Sequence, residues 1–209
     1  MPVRHAPTAE EQRDEPRLFV AVPLPAAAGD AVRDLVERVQ GEVEANARKP
    51  RSAVRWVRLD GLHLTLRFLG PTPREQVPTV AAAVDAAAAG TPAVRVAIGG
   101  AGAFPSPARP RTLWLGVTDG AGGLDGIARR LDRELTTAGW PADARPFRPH
   151  LTLARADGRR EGPLVARRLA DRAADVDIPF DADRVVLFES VTGGGPARYV
   201  PLHEVPLSG

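Results

Sequence analysis

The sequence contains no cysteine, which excludes disulfide bonds and metal sites built on thiolates. It also has no apolar run that approaches the roughly 20 residues required by a membrane-spanning helix. Residues 1–15 include the acidic residues Glu10, Glu11, Asp14 and Glu15 and lack the apolar segment of a secretory signal. We therefore expect a cytoplasmic protein that does not associate with membranes.

Lysine is almost absent, because Lys49 is the only one and every other basic residue is arginine. The 28 basic residues nearly balance the 26 acidic ones, giving a formal net charge of +2. A charge so close to neutral does not indicate a protein that coats nucleic acid in bulk. Arginine can hold phosphate oxygens through two parallel hydrogen bonds. The abundance of Ala, Arg, Pro and Gly is, however, also typical of a genome-wide compositional bias.

Histidine is scarce as well, and two of the four histidines begin the same tetrapeptide, His-Leu-Thr-Leu. The copies begin at His63 and His150, 87 positions apart and one in each half of the chain. Side chains alternate on a β-strand, so in each copy the histidine and threonine share one face and the leucines share the other. The pattern predicts two equivalent strands that present His63, Thr65, His150 and Thr152 to a common cleft.

Both halves of the chain show the same predicted order of strand, helix, His-Leu-Thr-Leu strand, helix and strand. In the first half the predicted elements are 17–24, 26–47, 62–69, 74–89 and 94–98, with a short strand at 54–57. In the second half they are 112–117, 124–138, 150–154, 163–174 and 185–191, with a last strand at 198–202. The glycines at 193–195 predict a hairpin between the last two strands.

This order predicts an α+β fold in which two pseudo-symmetric lobes place antiparallel sheets across a central cleft, with helices outside. Alternating strands and helices could instead form a doubly wound parallel sheet. The absence of a Gly-rich phosphate loop after the first strand and the presence of hairpin-like turns favour the antiparallel arrangement. We expect residues 1–15 to form a flexible tail and residues 16–209 to form one bilobal domain.

The paired histidines suit proton transfer at a phosphorus atom. An imidazole with a pKa near 6.5 can give or take a proton around neutral pH, so one ring can act as a general base and the other as a general acid. Attack in line with the leaving oxygen requires these groups on opposite sides of the phosphorus. Threonine hydroxyls could then stabilise the non-bridging oxygens. A metal site is the alternative, but it would need further ligands; Asp60 is near His63, whereas nothing equivalent accompanies His150.

The two motifs resemble those of the two-histidine phosphoesterase superfamily, and within it the chain is similar to the RNA 2′,3′-cyclic phosphodiesterases, historically called 2′-5′ RNA ligases. The similarity extends to blocks at 17–24, 56–57, 62–70, 102–107, 111–116, 145–155 and 187–190. It implies hydrolysis of RNA 2′,3′-cyclic phosphate ends to 2′-phosphomonoesters without a metal or another cofactor. The implied roles are proton donor for His63, proton acceptor for His150, and phosphate binding for Thr65 and Thr152.

Three further side chains are weaker candidates. Arg155 lies five positions after His150, where the family often has a phosphate-contacting arginine, although its strand parity is opposite to that of the histidine. Arg148 shares the parity of His150 and is a second phosphate-binding candidate. Phe19 either stacks on a base or packs in the core. Arg67 is predicted to continue the polar face of the first histidine strand.

The resemblance leaves more than one activity open. The first is the cyclic phosphodiesterase, whose partners would be RNA ends or nucleotides that carry a 2′,3′-cyclic phosphate. The second is a 2′-5′ RNA ligase or a module that binds RNA ends, and the third is a phosphodiesterase for small cyclic phosphates or 2′-5′ oligonucleotides. In each case we expect a monomer.

Overall fold

The computed structural model describes residues 15–45, 54–157, 161–193 and 195–208. The predicted N-terminal tail, apart from Glu15, therefore lies outside the described residues. The helices are α1 (Ala26–Ala45), α2 (Val77–Ala88), α3 (Ala121–Thr137) and α4 (Gly162–Ala173). The strands are β1 (Arg17–Pro23), β2 (Val54–Trp56), β3 (His63–Pro71), β4 (Val94–Phe104), β5 (Thr112–Asp119), β6 (His150–Ala156), β7 (Ile178–Ala182), β8 (Arg184–Gly193) and β9 (Gly195–Pro206).

The strands form one curled antiparallel sheet in the order β7-β4-β5-β6-β3-β1-β8-β9, and β2 pairs with β6. The two halves of the sheet meet where β3 pairs with β6 at Leu64 and Leu151. A pseudo-twofold relation through this contact matches β3 with β6, β1 with β5, β8 with β4 and β9 with β7. The predicted α+β class is confirmed, and the two predicted sheets prove to be joined edge to edge.

The leucines of both tetrapeptides lie in the core, as their alternation predicts. Leu64, Leu151 and Leu153 are fully buried and Leu66 is 6% exposed. They belong to one apolar cluster with residues from all four helices, in which α2 packs against α3 and α1 against α4. The helices therefore cover the leucine face of the sheet and leave the histidine face open. None of the helices in the described ranges combines the length and the apolar character needed to cross a bilayer.

Among the differences from the sequence prediction, two are explained by glycine and proline. Strand β4 continues through a Gly-rich stretch to Phe104, because its glycines allow close neighbours: a Cβ at Gly102 would lie 2.2 Å from the Trp114 ring. Strand β7 was not predicted, since it is five residues long and contains Pro179. Proline is tolerated there because β7 is an edge strand.

Each histidine strand contains a bulge at the same place relative to its motif. Pairing of β3 with β1 passes from Thr65 directly to Arg67, and pairing of β6 with β5 passes from Thr152 directly to Ala154. An extra residue in one strand reverses the facing of every side chain that follows it. Downstream of each bulge, the residues expected on one face of the sheet consequently lie on the other.

Candidate active site

The first residues of β3 and β6 place the two histidines in one cleft. Leu64 pairs with Leu151 in antiparallel register, so His63 lies across from Thr152, and Thr65 lies across from His150. The imidazoles occupy one diagonal of this four-residue group and the hydroxyls occupy the other. Burial lowers the pKa of His63, and the positive charge of His150 across the cleft lowers it further. The four residues singled out by the tetrapeptides are thus brought together.

Both imidazoles are held in the same tautomer. Nδ1 of His63 lies 2.8 Å from the carbonyl oxygen of Gly61, and Nδ1 of His150 lies 2.7 Å from that of Arg148, in each case two residues earlier in the chain. A carbonyl oxygen can only accept, so each Nδ1 carries a hydrogen and donates it. This leaves each Nε2 as the nitrogen that can take up or release a proton.

Aromatic rings fix the orientation of each imidazole. Tyr199 approaches His63 edge-on, with ring centroids 4.8 Å apart and an interplanar angle of 89°, and Phe104 approaches His150 in the same way at 5.1 Å and 86°. A second ring lies beside each histidine. The ring centroid of Phe19 is 4.8 Å from that of His63, and the ring centroid of Trp114 is 6.2 Å from that of His150. These rings displace water from around the imidazoles.

Burial lowers the pKa of both histidines below the ordinary value of about 6.5. The carbonyl hydrogen bonds act in the opposite direction, since they stabilise the imidazolium. A neighbouring positive charge lowers each pKa further: that of His150 acts on His63, and that of Arg155 acts on His150. Since a proton on one ring disfavours a proton on the other, the pair is suited to a state in which only one of the two imidazoles is protonated.

Arg155 reaches the cleft because of the bulge in β6. The expected opposite parity was wrong: the extra residue turns Arg155 to the side of His150 and Thr152. Its Nη1 donates to Oγ1 of Thr112 at 2.6 Å. Its charge adds to the lowering of the pKa of His150 by burial, and it opposes the larger effect of burial that raises the pKa of Tyr199. Arg155 therefore supplies a fixed positive charge beside the two hydroxyls.

These side chains line a cavity of about 200 Å³ whose walls include His63, Thr65, Thr152 and Arg155. Neither threonine hydroxyl forms a hydrogen bond with another described residue. The cavity can therefore offer a small anion two hydroxyl donors, one guanidinium and the Nε2 of His63, with His150 at the adjoining wall of the cleft.

Residues 21–194 match the family model described as the 2′-5′ RNA ligase superfamily. The chain belongs to this superfamily. The Aeropyrum pernix RNA 2′,3′-cyclic phosphodiesterase is 37% identical over 150 residues, which are 70% of this chain and 82% of that protein. The Geobacillus stearothermophilus protein of the same name is 30% identical over 191 residues, 91% of this chain but only 57% of that relative. The crystal structure of E. coli LigT complexed with 3′-AMP has a TM-score of 0.70 at 26% identity and covers 93% of this chain and 99% of that one.

Arg148 and Phe19, two of the weaker candidates, lie in different surroundings. Arg148 is exposed and lines a second cavity of about 750 Å³ that adjoins the first at Thr65 and Phe68, while its carbonyl orients His150. Phe19 is only 2% exposed and stacks on Phe188 at 5.3 Å, so it packs beneath His63. The structure favours the packing alternative for Phe19 over base stacking.

Arg67 does not face the cleft, and its predicted placement was wrong. The bulge in β3 turns its side chain toward α3, where it is 8% exposed. Its Nη1 lies 2.9 Å from Asp143 and its Nη2 lies 3.4 Å from Asp132, and Nη2 also donates to the carbonyl of Pro141. Arg67 is consequently a structural ion-pair residue behind the sheet.

Several residues that border the cavity were not predicted from the sequence, namely Arg17, Phe68, Ser190 and Tyr199. Tyr199 packs against the histidine strand because residue 61 is glycine, where a Cβ would lie 3.1 Å from the tyrosine ring. Phe68 could have been found from spacing, since it lies five positions after His63, as Arg155 does after His150. Among the residues that the structure describes, no three His, Asp or Glu side chains gather as possible metal ligands.

Proposed function

We propose that this protein hydrolyses 2′,3′-cyclic phosphate ends of RNA to 2′-phosphomonoesters. The observation that carries the proposal is the pair of imidazoles with matching tautomers, His63 and His150, beside a cavity lined by two threonine hydroxyls and an arginine. Such a site fits a phosphodiester attacked on one side and cleaved on the other. The names of the relatives supply the substrate class.

In the proposed reaction, His150 is the proton acceptor and His63 the proton donor. Nε2 of His150 takes a proton from water as the water oxygen bonds to phosphorus. The bond from phosphorus to O3′ breaks, and Nε2 of His63 gives its proton to O3′. The product keeps the phosphate on O2′, and the proton balance is restored by exchange with solvent. Because a charge on His150 lowers the pKa of His63, the doubly protonated pair is disfavoured relative to the singly protonated pair that this reaction requires.

The cavity would stabilise the negative charge that develops on the non-bridging oxygens. Thr65 and Thr152 are proposed to donate hydrogen bonds to those oxygens, and Arg155 to add a charged donor. Donors fixed before the reaction stabilise the transition state without having to reorganise. Removal of one such donor from an enzyme typically reduces kcat by about 10²–10³-fold.

The decisive experiment is hydrolysis of a short RNA that ends in a 2′,3′-cyclic phosphate, carried out in EDTA. We expect turnover, a product that co-migrates with an authentic 2′-monophosphate, and a loss of about 10²–10⁴-fold in His63→Ala and in His150→Ala. His203→Ala is the matched control, because His203 bonds Asp85 at 2.8 Å on the surface. A 3′-monophosphate product, or full activity in both active-site variants, would overturn the proposal. Tight RNA binding without turnover would favour an RNA-end-binding module.

We also propose that the protein acts as a monomer in the cytoplasm. A monomer is sufficient for the proposed site, because strands β3 and β6 of one chain supply both histidines and both threonines. Light scattering coupled to size exclusion tests the oligomeric state, and cell fractionation tests the compartment. A stable dimer at low micromolar concentration, or recovery with the membrane fraction, would contradict these proposals.

A further inference from the structure

Tyr199, the only tyrosine of the chain, brings a phenolic hydroxyl to the wall of the catalytic cavity. It lies on the last strand, β9, and its ring packs edge-on against His63 with the ring centroids 4.8 Å apart. A second edge-on contact joins it to Phe19, with the centroids 5.1 Å apart. Gly61 lets the ring lie close to the chain, because a Cβ there would be 3.1 Å from it. These contacts fix the ring, and with it the hydroxyl oxygen, before any ligand enters.

The hydroxyl of Tyr199 is a protonated donor that the protein does not use. It forms no hydrogen bond with any other residue that the structure describes, although the side chain is half-buried. Burial raises the pKa of the hydroxyl, and the charge of Arg155 opposes this with a smaller effect, so the group keeps its proton throughout the neutral range. The influence of Arg155 also indicates that the hydroxyl and the guanidinium border the same cavity.

The second histidine shows what a ring without a hydroxyl achieves in the same contact. Phe104 packs edge-on against His150 at 5.1 Å and 86°, close to the 4.8 Å and 89° between Tyr199 and His63. A phenyl ring is therefore sufficient to hold an imidazole in this cleft. Packing on His63 does not account for the hydroxyl, and a partly buried donor without a partner loses free energy that a ligand can restore.

We propose that the hydroxyl of Tyr199 binds the substrate by donating a hydrogen bond to a non-bridging oxygen of the cyclic phosphate. This inference rests on the proposed function and adds a third hydroxyl to those of Thr65 and Thr152 in the cavity wall. A hydrogen bond to an ionised acceptor is roughly twice as strong as one between neutral groups. Because the ring is already fixed, the donor stabilises the charge that grows on the phosphate oxygens without having to reorganise.

The test compares Tyr199→Phe, which removes only the hydroxyl, with Tyr199→Leu, which also removes the ring. In Tyr199→Phe we expect kcat/KM for adenosine 2′,3′-cyclic phosphate to fall by about 10- to 150-fold, the loss that corresponds to one hydrogen bond to a charged group. The pH profile of kcat/KM should keep its wild-type position, because the ring against His63 is retained. Tyr199→Leu should lose at least as much activity. Activity within twofold of the wild type in Tyr199→Phe, whatever the effect of Tyr199→Leu, would overturn the inference, since the ring alone would then matter.

Thr118→Val is the matched control, because it removes a hydroxyl that bonds the carbonyl of Ala97 at 3.2 Å and does not border the cavity. It should leave both the rate and binding unchanged. A loss of activity in Tyr199→Phe together with a displaced pH profile would mean that the residue acts through His63, and would overturn the contact with the phosphate.

Binding of adenosine 2′-monophosphate, measured by calorimetry, gives a readout that does not require turnover. Tyr199→Phe should weaken this binding by about 10-fold or more, and unchanged binding would contradict the inference. If the wild-type protein binds the monophosphate but does not hydrolyse the cyclic nucleotide, the proposed function fails, whereas weaker binding by Tyr199→Phe would still support the hydrogen bond to the phosphate. A wild-type protein that neither binds nor hydrolyses would end both proposals.

Discussion

Replacement of Arg155 gives a sharp test of the site, because this side chain is expected to act on both affinity and proton transfer. Arg155→Met removes the guanidinium and keeps much of the length of the side chain. A hydrogen bond to a charged group contributes about 1.5–3 kcal/mol, so loss of a contact with the phosphate should lower kcat/KM by about 10- to 150-fold. Arg155→Lys keeps the charge but loses the paired donors, and should lie between the wild type and Arg155→Met.

The pH dependence of the same variant reports on His150. Besides burial, the charge of Arg155 lowers the pKa of His150, so its removal should raise that pKa. If His150 is the proton acceptor it must be neutral, and the acidic limb of the profile of kcat/KM should then move to higher pH in Arg155→Met. In Arg155→Lys this limb should stay close to its wild-type position. The assay is kcat/KM for a 2′,3′-cyclic nucleotide between about pH 4.5 and 9.

Two controls separate a local effect from a general one. Arg95→Met removes one charge from an exposed ion pair with Asp181, and should leave both the rate and the profile unchanged. Thr112→Val removes the 2.6 Å anchor of Arg155 while keeping its charge, and should lower kcat/KM with little movement of the limb. A wild-type profile together with a rate within twofold of wild type in Arg155→Met would refute the reasoning.

Three further predictions follow from the same structure. Because burial lowers the pKa of both histidines, kcat/KM should peak below pH 6.5 and decline on either side; a maximum above pH 7.5 would contradict this. Unfolded histidine titrates near pH 6.5, so between that value and the lower folded pKa the unfolded chain binds more protons, and the free energy of unfolding should fall as pH is lowered through 6.5. Urea denaturation at pH 7.5 and 5.5 should show this, with a smaller difference in His63→Gln than in the wild type. Gly102→Ala should destabilise the fold by about 1–3 kcal/mol, because its Cβ would lie 2.2 Å from the Trp114 ring, whereas Gly126→Ala, with nothing within 4 Å, should be neutral or stabilising in a urea melt.

The sequence predicted those features that depend on local periodicity. Alternation in the two tetrapeptides was sufficient to assign the leucines to the core and His63 and His150 to an open face, because side-chain facing within a strand depends only on position. The equal order of elements in both halves then predicted that the faces meet. The antiparallel α+β class followed, and the family resemblance is confirmed by the match over residues 21–194.

The same alternation failed after the bulges. Nothing within β3 or β6 marks the extra residue, since a bulge is defined by the register with a partner strand far away in sequence. Arg67 was therefore expected in the cleft and lies behind the sheet, while Arg155 was expected on the opposite face and lies in the cleft. Tyr199 was missed for a related reason: β9 comes into contact with His63 only through the order of strands in the folded sheet.

The pseudo-symmetry of the two halves does not by itself give the two histidines different protonation states. Both halves give the histidine the same carbonyl partner two residues earlier, the same edge-on ring and the same hydroxyl two residues later. Two identical environments would hold protons equally well, yet cleavage of a diester needs one ring protonated and the other neutral. The charge of His150 lowers the pKa of His63 and so disfavours the doubly charged state, and Phe68 and Arg155 make the two sides of the cleft chemically different. The bulges thus complete the site. Without them, the residue five positions after each histidine would face the core, and the cleft would have neither Phe68 on one side nor Arg155 on the other.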